Sequence, residues 1–206
     1  MKKNISSLKN YRNLKVLVTG STGFKGAWLC NWLILLGSKV IGVGLKPEKE
    51  SIIFDALKIN KKVSQYFVDI KNFDRINRII KKEKPDIIFH LAAQSLVKTS
   101  YENPETTFKS NCIGTLNILE SLRNLKKKCT VVLVTSDKSY KNLEIKRGYK
   151  ENDLLGGYDP YSASKASAEL AIQSYVNSYF NKNKNIKICI ARAGNVIGGG
   201  DWSKNR

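Results

Sequence analysis

Two short clusters bring together side chains able to move protons. Tyr161-Ser162-Ala163-Ser164-Lys165 sets a phenol and an ammonium four residues apart, a spacing that puts both on one face of a helix. A nearby cation favours the phenolate, which suits a tyrosine to general-base work. The pair alone also fits two surface residues, so its company matters. Upstream, Thr135-Ser136-Asp137-Lys138 offers hydroxyls, a carboxylate and a second amine directly after an apolar run, where a strand would present them to a ligand at its carboxyl end.

A third cluster is suited to binding. Thr19-Gly20-Ser21-Thr22-Gly23-Phe24-Lys25-Gly26 follows a β-rich run and opens a helical pattern. Gly20, Gly23 and Gly26 permit a tight turn, close backbone approach to a pyrophosphate and close helix-to-strand packing, while the helix N-terminus supplies N–H groups. Thr22, Phe24 and Lys25 stand among them, and the segment predicts a dinucleotide site. The acidic residue expected about 20 positions on for the adenosine ribose is absent, because the second strand reads Val40-Ile41-Gly42-Val43-Gly44-Leu45-Lys46 and Gly44 stands in its place. NAD and NADP both stay open, with Lys46 in reach of a 2′-phosphate in principle. Asp69, after the third strand, is an adenine contact or a helix N-cap.

These clusters need elements to hold them. The patterning predicts strands at 15–19, 39–43, 63–68, 86–90, 130–135 and 186–191, and helices at 24–36, 73–82, 105–125 and 160–180. Strands alternating with helices imply an α/β doubly wound parallel sheet, since parallel strands need crossover connections. In the first helix Trp28, Leu29, Trp32, Leu33, Leu35 and Leu36 form the expected apolar packing face. A polar lead-in occupies 1–13, and the sheet domain runs from 14 to 206. Its last residues, Trp202 to Arg206, come soon after the sixth strand, so the site is expected to be open or the chain incomplete at its C-terminus.

The 206 residues are 42% apolar and 26% charged, which is a globular composition and neither disordered nor collagen-like. The net charge of +19 comes mostly from Lys spread along the chain. Without the clustering of an electrostatic footprint, it reads as a solvated surface and no nucleic-acid partner is expected. Cys30, Cys112, Cys129 and Cys189 lie scattered in apolar segments without metal-ligand spacing, so no metal is expected and the thiols read as structural. No stretch approaches 18 apolar residues, and the basic N-terminus leads into Lys9 and Arg12 instead of an apolar signal core. No membrane association and a cytoplasmic location are therefore expected. His90, the sole histidine, reads as a satisfied structural group.

The segments VTGSTGFKGAWL, PDIIFHLAAQSLVKTSYENP, TSDKSY, GYKENDLLGGYDPYSASKASAEL and ARAGNVIGGGDW together make the chain resemble the extended short-chain dehydrogenase/reductases. These are NAD-dependent epimerases and dehydratases of nucleotide sugars, and the likeness is greatest to the branch acting on CDP-glucose. The resemblance implies a Rossmann fold whose C-terminal substrate domain is missing or truncated, with NAD as cofactor. It implies that Tyr161 takes the proton of the sugar 4-hydroxyl and that Lys165 holds the nicotinamide ribose. Ser136 would bond the same hydroxyl, Asp137 would protonate the departing 6-oxygen, and Lys138 would help remove the C5 proton. A lysine doing so must be neutral, through burial or a cationic neighbour. Leu91, Ala92 and Ala93 would line the cofactor, Gln94, Arg192 and Asn195 would approach the substrate, and Asn111 would order the site or simply make a helix-interior contact. A homodimer through the helices at 105–125 and 160–180 is implied as well. The alternatives are an epimerase or dehydratase of another nucleotide sugar and a non-catalytic dinucleotide-binding fragment. Ser136-Asp137-Lys138 weighs against an epimerase, which needs no acid for a 6-hydroxyl.

Overall fold

The structure, a computed structural model, describes residues 9–47 and 52–202. The first eight residues of the polar lead-in and the closing residues 203–206 lie outside the described residues. Six strands, β1 Lys15–Thr19, β2 Lys39–Gly44, β3 Ser64–Phe67, β4 Ile87–His90, β5 Cys129–Val134 and β6 Ile186–Ala191, form one sheet in the order β3-β2-β1-β4-β5-β6. Every pair is parallel. Strand order therefore reverses between β1 and β4, the place where a doubly wound sheet opens a crevice at its carboxyl edge.

The two faces of β1 explain the two layers of core. Val16 and Val18 point to one side, into a cluster with Ala27, Cys30 and Leu33. Leu17 points to the other, into a cluster with Ile41, Ile79, Ile118 and Leu133. Alternation along a strand does this automatically, and a strand buried on both faces must be apolar throughout.

Helix α1, Phe24–Leu35, departs from the expected packing. It buries Gly26, Ala27, Cys30 and Leu33, while Trp28, Trp32 and Leu35 are turned outward at 42%, 54% and 76% exposure. The cause is the first turn, where a Cβ on Gly26 would come within 1.9 Å of the Gly20 carbonyl oxygen. That approach fixes the helix rotation with small residues on the sheet and the indoles outside. Trp28 instead donates from Nε1 to the Gly199 carbonyl at 2.9 Å.

Helix α2, Ile52–Ala56, is short; α3, Phe73–Glu83, follows β3 and buries Ile76, Ile79 and Ile80. Its N-cap is Asn72, whose Oδ1 accepts the Arg75 N–H at 3.1 Å. Asp69 accepts the Lys71 N–H at 2.9 Å in the preceding turn, so it is not the cap. After β4 come α4, Val97–Glu102, α5, Pro104–Phe108, and α6, Gly114–Leu122. The single helix expected over 105–125 is thus interrupted by a π turn at Lys109–Ile113, a type of irregularity that gathers at functional sites. Helix α7, Pro160–Tyr175, passes likewise into a π turn at Val176–Phe180. Burial pushes the Cys30 and Cys129 thiols up to about 12, as fits inert core groups, whereas Cys189 is exposed.

Candidate active site

The glycine-rich turn joins β1 to α1 at the switch point. Gly20 has φ +73, a backbone conformation open to glycine, and its virtual Cβ lies 2.9 Å from the Ala92 nitrogen in the loop after β4. The N-cap, Gly23, spends no side chain on the first turn of α1, so its N–H groups face the cleft as a ready anion site. That cleft, about 400 Å³, is lined by Gly20, Thr22, Gly23, Phe24, Lys25 and Gly26, by Gly44 and Asp69, and by Leu91, Ala92, Ala93 and Gln94. A Cβ on Gly44 would stand 2.7 Å from Thr22 Oγ1. The Thr22 hydroxyl thus stands in the space a side chain at 44 would enter. Lys46 is exposed and outside this lining.

Behind the cleft a chain of hydrogen bonds runs from β1 to α7, and its proton directions follow from counting. Thr19 Oγ1 accepts from the Leu91 and Ala92 N–H groups, each at 3.1 Å, so its own proton goes to His90 Nδ1 at 2.7 Å. The ring is then protonated at Nε2 and donates to Thr115 Oγ1 at 3.1 Å. Thr115 donates on to the Asn111 carbonyl at 2.7 Å. Burial first, and the Lys165 charge second, push the His90 pKa down to about 3, so the histidine is a neutral, satisfied structural group as expected.

Asn111, inside the π turn, uses its whole amide. Oδ1 accepts the Gln94 N–H at 2.8 Å, and Nδ2 donates to the Gln94 carbonyl at 3.0 Å and to Ser164 Oγ at 2.8 Å. Gln94 is equally engaged, with Nε2 donating to the Leu96 carbonyl and to Thr107 Oγ1 and Oε1 accepting the Leu96 N–H. The Gln94 side chain thus folds its own loop while Gln94 lines the cleft.

Helix α7 starts with Asp159 as N-cap, accepting from the Ser162 N–H at 2.9 Å, and Pro160 in its first turn. Tyr161 and Lys165 share a face, with Nζ 6.0 Å from the phenol ring centroid. Burial, reinforced by Lys25 and opposed by Glu169, pushes the Lys165 pKa down to about 8. Across from this helix, Ser136 donates to Asp137 Oδ1 at 3.0 Å and accepts the Lys138 N–H at 3.2 Å within a tight 3₁₀ turn after β5. Asp137 and Lys138 are exposed, so burial of the lysine is not what the structure shows. Both line a second cleft of about 360 Å³ with Tyr140, Tyr149, Tyr158 and Ser162.

Arg192 and Asn195, expected near the substrate, lie in the loop after β6. Arg192 is turned into the protein, its Nε 2.8 Å from Glu169 Oε2, its Nη1 2.9 Å from the Glu151 carbonyl and its guanidinium over the Tyr140 ring. It holds structure, and its charge is strongly retained through the bonds to Glu169. Asn195 is exposed and lines neither cleft. Glu169, fully buried, was not singled out by the sequence, although Tyr161, Lys165 and Glu169 fall at successive four-residue steps on one helix face.

Six parallel strands carrying a glycine cradle and a Tyr/Lys face define a nucleotide-binding α/β unit of the dehydrogenase/reductase type. The chain belongs to the GDP-mannose 4,6 dehydratase family, whose model matches residues 17–199. Among curated relatives it is 43% identical over 96% of its length to a CDP-glucose 4,6-dehydratase of Salmonella typhimurium, covering 56% of that protein. It is 32% identical to a dTDP-D-glucose 4,6-dehydratase of Dictyostelium discoideum, covering 89% of this chain and 44% of that protein. Among solved structures, a UDP-glucose 4-epimerase from Thermotoga maritima determined with UDP-glucose superposes with a TM-score of 0.73 at 26% identity, covering 87% of this chain and 55% of that one. A UDP-glucuronic acid 4-epimerase from Bacillus cereus, in complex with UDP-glucuronic acid and NAD, gives 0.73 at 25% identity, covering 87% and 56%. The chain thus spans about half the length of the proteins it matches.

Proposed function

We propose that this chain carries the NAD-binding and catalytic part of a CDP-glucose 4,6-dehydratase, removing water across C5 and C6 to give CDP-4-dehydro-6-deoxyglucose. One observation carries the reading: the Ser136-Asp137-Lys138 turn packs on α7 and shares a cleft with Ser162, next to Tyr161, while Lys25 of the glycine turn is near enough to push the Lys165 pKa down, on a chain 43% identical to an enzyme of that name. The cradle fits a dinucleotide, because its backbone approach leaves no room for a Cβ at Gly26 and its helix N-terminus keeps its N–H groups for a pyrophosphate. NAD bound there supplies the acceptor for oxidation at C4 and the donor for reduction at C6.

Each side chain then has one task. Tyr161 takes the proton from the 4-hydroxyl, and the Lys165 ammonium beside it favours the phenolate and binds the nicotinamide ribose. Ser136 holds the 4-hydroxyl. A C4 carbonyl acidifies C5, so Lys138, exposed in the open cleft and able to act only in its neutral form once bound substrate covers it, removes that proton while Asp137, in its protonated form, donates one to the leaving 6-oxygen. Asp69 serves the adenine end of the cleft, and Leu91, Ala92 and Ala93 wall it. The protein acts as a cytoplasmic homodimer joined through α5 and α6 with the π turn between them, and through α7.

The test is incubation of the purified chain with NAD and CDP-glucose, with dTDP-glucose and GDP-mannose in parallel, and mass spectrometry for loss of one water. Loss from CDP-glucose alone is the expected result. Loss from another sugar nucleotide would reassign the substrate, and NAD binding without loss from any would leave a dinucleotide-binding unit instead.

A further inference from the structure

The exposed indoles of α1, the basic groove of Arg75, Arg78 and Lys82 beside Tyr66, and the buried polar cluster under β5 are the features outside the roles assigned above. The cluster carries an inference. Glu169 is fully buried in the middle of α7 and gathers donors from three separate elements. Its Oε1 accepts from Thr135 Oγ1 at 2.6 Å and lies 2.8 Å from Ser139 Oγ, whose one proton it shares with the Ser136 carbonyl at 2.6 Å; the two hydroxyls stand on either side of the Ser136-Asp137-Lys138 turn. Oε1 and Oε2 accept from Arg192 Nε, each at 2.8 Å, and Oε2 also pairs with Nη2. Arg192 in turn reaches the Glu151 carbonyl.

We propose that Glu169 is a positioning residue that clamps both ends of the Ser136-Asp137-Lys138 turn against the Tyr161/Lys165 face, with Arg192 tying the loop after β6 to the same anchor. The geometry is direct. Tyr161, Lys165 and Glu169 lie on one helix face at four-residue steps, so the carboxylate that grips Thr135 and Ser139 stands on the same rigid rod as the phenol. Apart from Glu169, the turn is held by bonds within itself and to neighbouring loops, among them Gly156 N–H to the Ser139 carbonyl at 2.9 Å, Ser139 Oγ to the Ser136 carbonyl at 2.6 Å and Lys138 N–H to Ser136 Oγ at 3.2 Å. Asp137 N–H bonds the Ala193 carbonyl at 3.1 Å, and Ser139 N–H and Tyr140 N–H bond within the turn at 3.1 Å each. Without the clamp, an acid and a base that must meet C5 and the 6-oxygen would lose the side-chain tie from their turn to the helix that carries the phenol, and small misplacements of catalytic groups cost large factors in rate. Burial of a carboxylate that touches neither cleft is an expense in solvation, which several simultaneous donors offset. Its negative charge also supports the Lys165 ammonium against burial and Lys25.

This rests on the dehydratase reading for the meaning of the turn, and the experiment separates the two. Amide hydrogen exchange is measured without substrate on the full chain, on Glu169→Gln, and on the double variant Glu169→Leu/Arg192→Leu. In the double variant both charges are gone, so neither is left buried and unpaired, and the loss is confined to the Thr135 and Ser139 hydroxyls and the Glu151 carbonyl that lose a partner. A clamp nevertheless requires exchange at Asp137, Ser139 and Tyr140 to speed by about tenfold or more while Val16 to Val18 of β1 keep their protection. A purely structural ion pair requires the turn in the double variant to stay as protected as in the parent, or all amides to speed together, and either result overturns the proposal. If Glu169→Gln fails to fold, the double variant decides. Under turnover with CDP-glucose, the double variant is expected to lose about tenfold or more in kcat with KM within about twofold. Absence of water loss from the parent would overturn the dehydratase reading while the exchange result still decides whether Glu169 clamps the turn.

Discussion

Asn111 Nδ2 donates to Ser164 Oγ at 2.8 Å, and Ser164 donates on to the Tyr161 carbonyl at 2.7 Å. A side chain in the π turn between α5 and α6 therefore fixes the first turn of the helix that carries the phenol. The same amide holds the Gln94 backbone that closes the dinucleotide cleft, so one residue joins the cofactor wall to the proton-transfer face.

Replacing Asn111 by Leu leaves the Gln94 N–H and carbonyl and the Ser164 hydroxyl without their partner. The expected cost is about 1–3 kcal/mol of stability, read as a lower urea midpoint with an unchanged slope. NAD affinity measured calorimetrically is expected to fall with it. Asn111→Leu with parent affinity would show that the loop after β4 holds itself.

His90 supplies an acid-sensitive element of stability. Its pKa is about 3 in the fold against an ordinary 6.5, so between those values the unfolded chain binds a proton that the folded chain does not. Stability then rises with pH across that window and is lost as pH falls through it, at up to about 1.4 kcal/mol per pH unit from this group. Denaturation curves from pH 7 to 4 are expected to show this slope, and His90→Asn is expected to flatten it. A variant as acid-sensitive as the parent would place the source elsewhere.

Lys165 follows the same charge logic at higher pH, except that it is charged in the working range. Its pKa of about 8 lies below the ordinary 10.5, so below pH 8 the fold carries a buried charge at a cost, which is relieved as pH rises toward 10.5. Tyr161 needs that charge, so turnover is expected to decline above about pH 8 as the ammonium is lost. Lys25→Met removes the neighbouring cation that lowers Lys165, and the alkaline limb is expected to move upward. An unmoved limb would mean that another group controls it.

Thr22 and Gly44 together exclude a ribose carboxylate at the end of β2. Gly44→Asp alone is expected to weaken NAD binding, because its Cβ meets Thr22 Oγ1 at 2.7 Å. Thr22→Ala combined with Gly44→Asp removes that oxygen, and the new carboxylate is expected to favour NAD over NADP by repelling a 2′-phosphate. Calorimetric titration of both nucleotides into both variants checks this.

How much of this was legible in the sequence depended on range. Alternation of apolar runs fixed six strands in nearly the observed places, and the glycine turn, Tyr161/Lys165 and Ser136-Asp137-Lys138 were readable because their spacing is local. The orientation of α1 was not, since Trp28 and Trp32 read as a packing face until the contact of Gly26 with the Gly20 carbonyl set the rotation. Nor were the partners of Gln94 and Arg192 readable, because these lie elsewhere along the chain, Thr107 for one and Glu169 for the other. Glu169 itself carries no local signal beyond its place on the Tyr161/Lys165 face. The π turns were hidden too, since they insert one residue into patterns that otherwise read as continuous helix.

The most direct measurement uses CDP-glucose deuterated at C4, incubated with the purified chain and NAD, with the product examined by proton NMR. Deuterium recovered in the C6 methyl group of a product lacking one water is the expected result, since oxidation at C4, elimination and reduction at C6 then take place in one closed site. Product with solvent hydrogen at C6, or CDP-glucose recovered intact under conditions where NAD binds, would contradict the proposed dehydration.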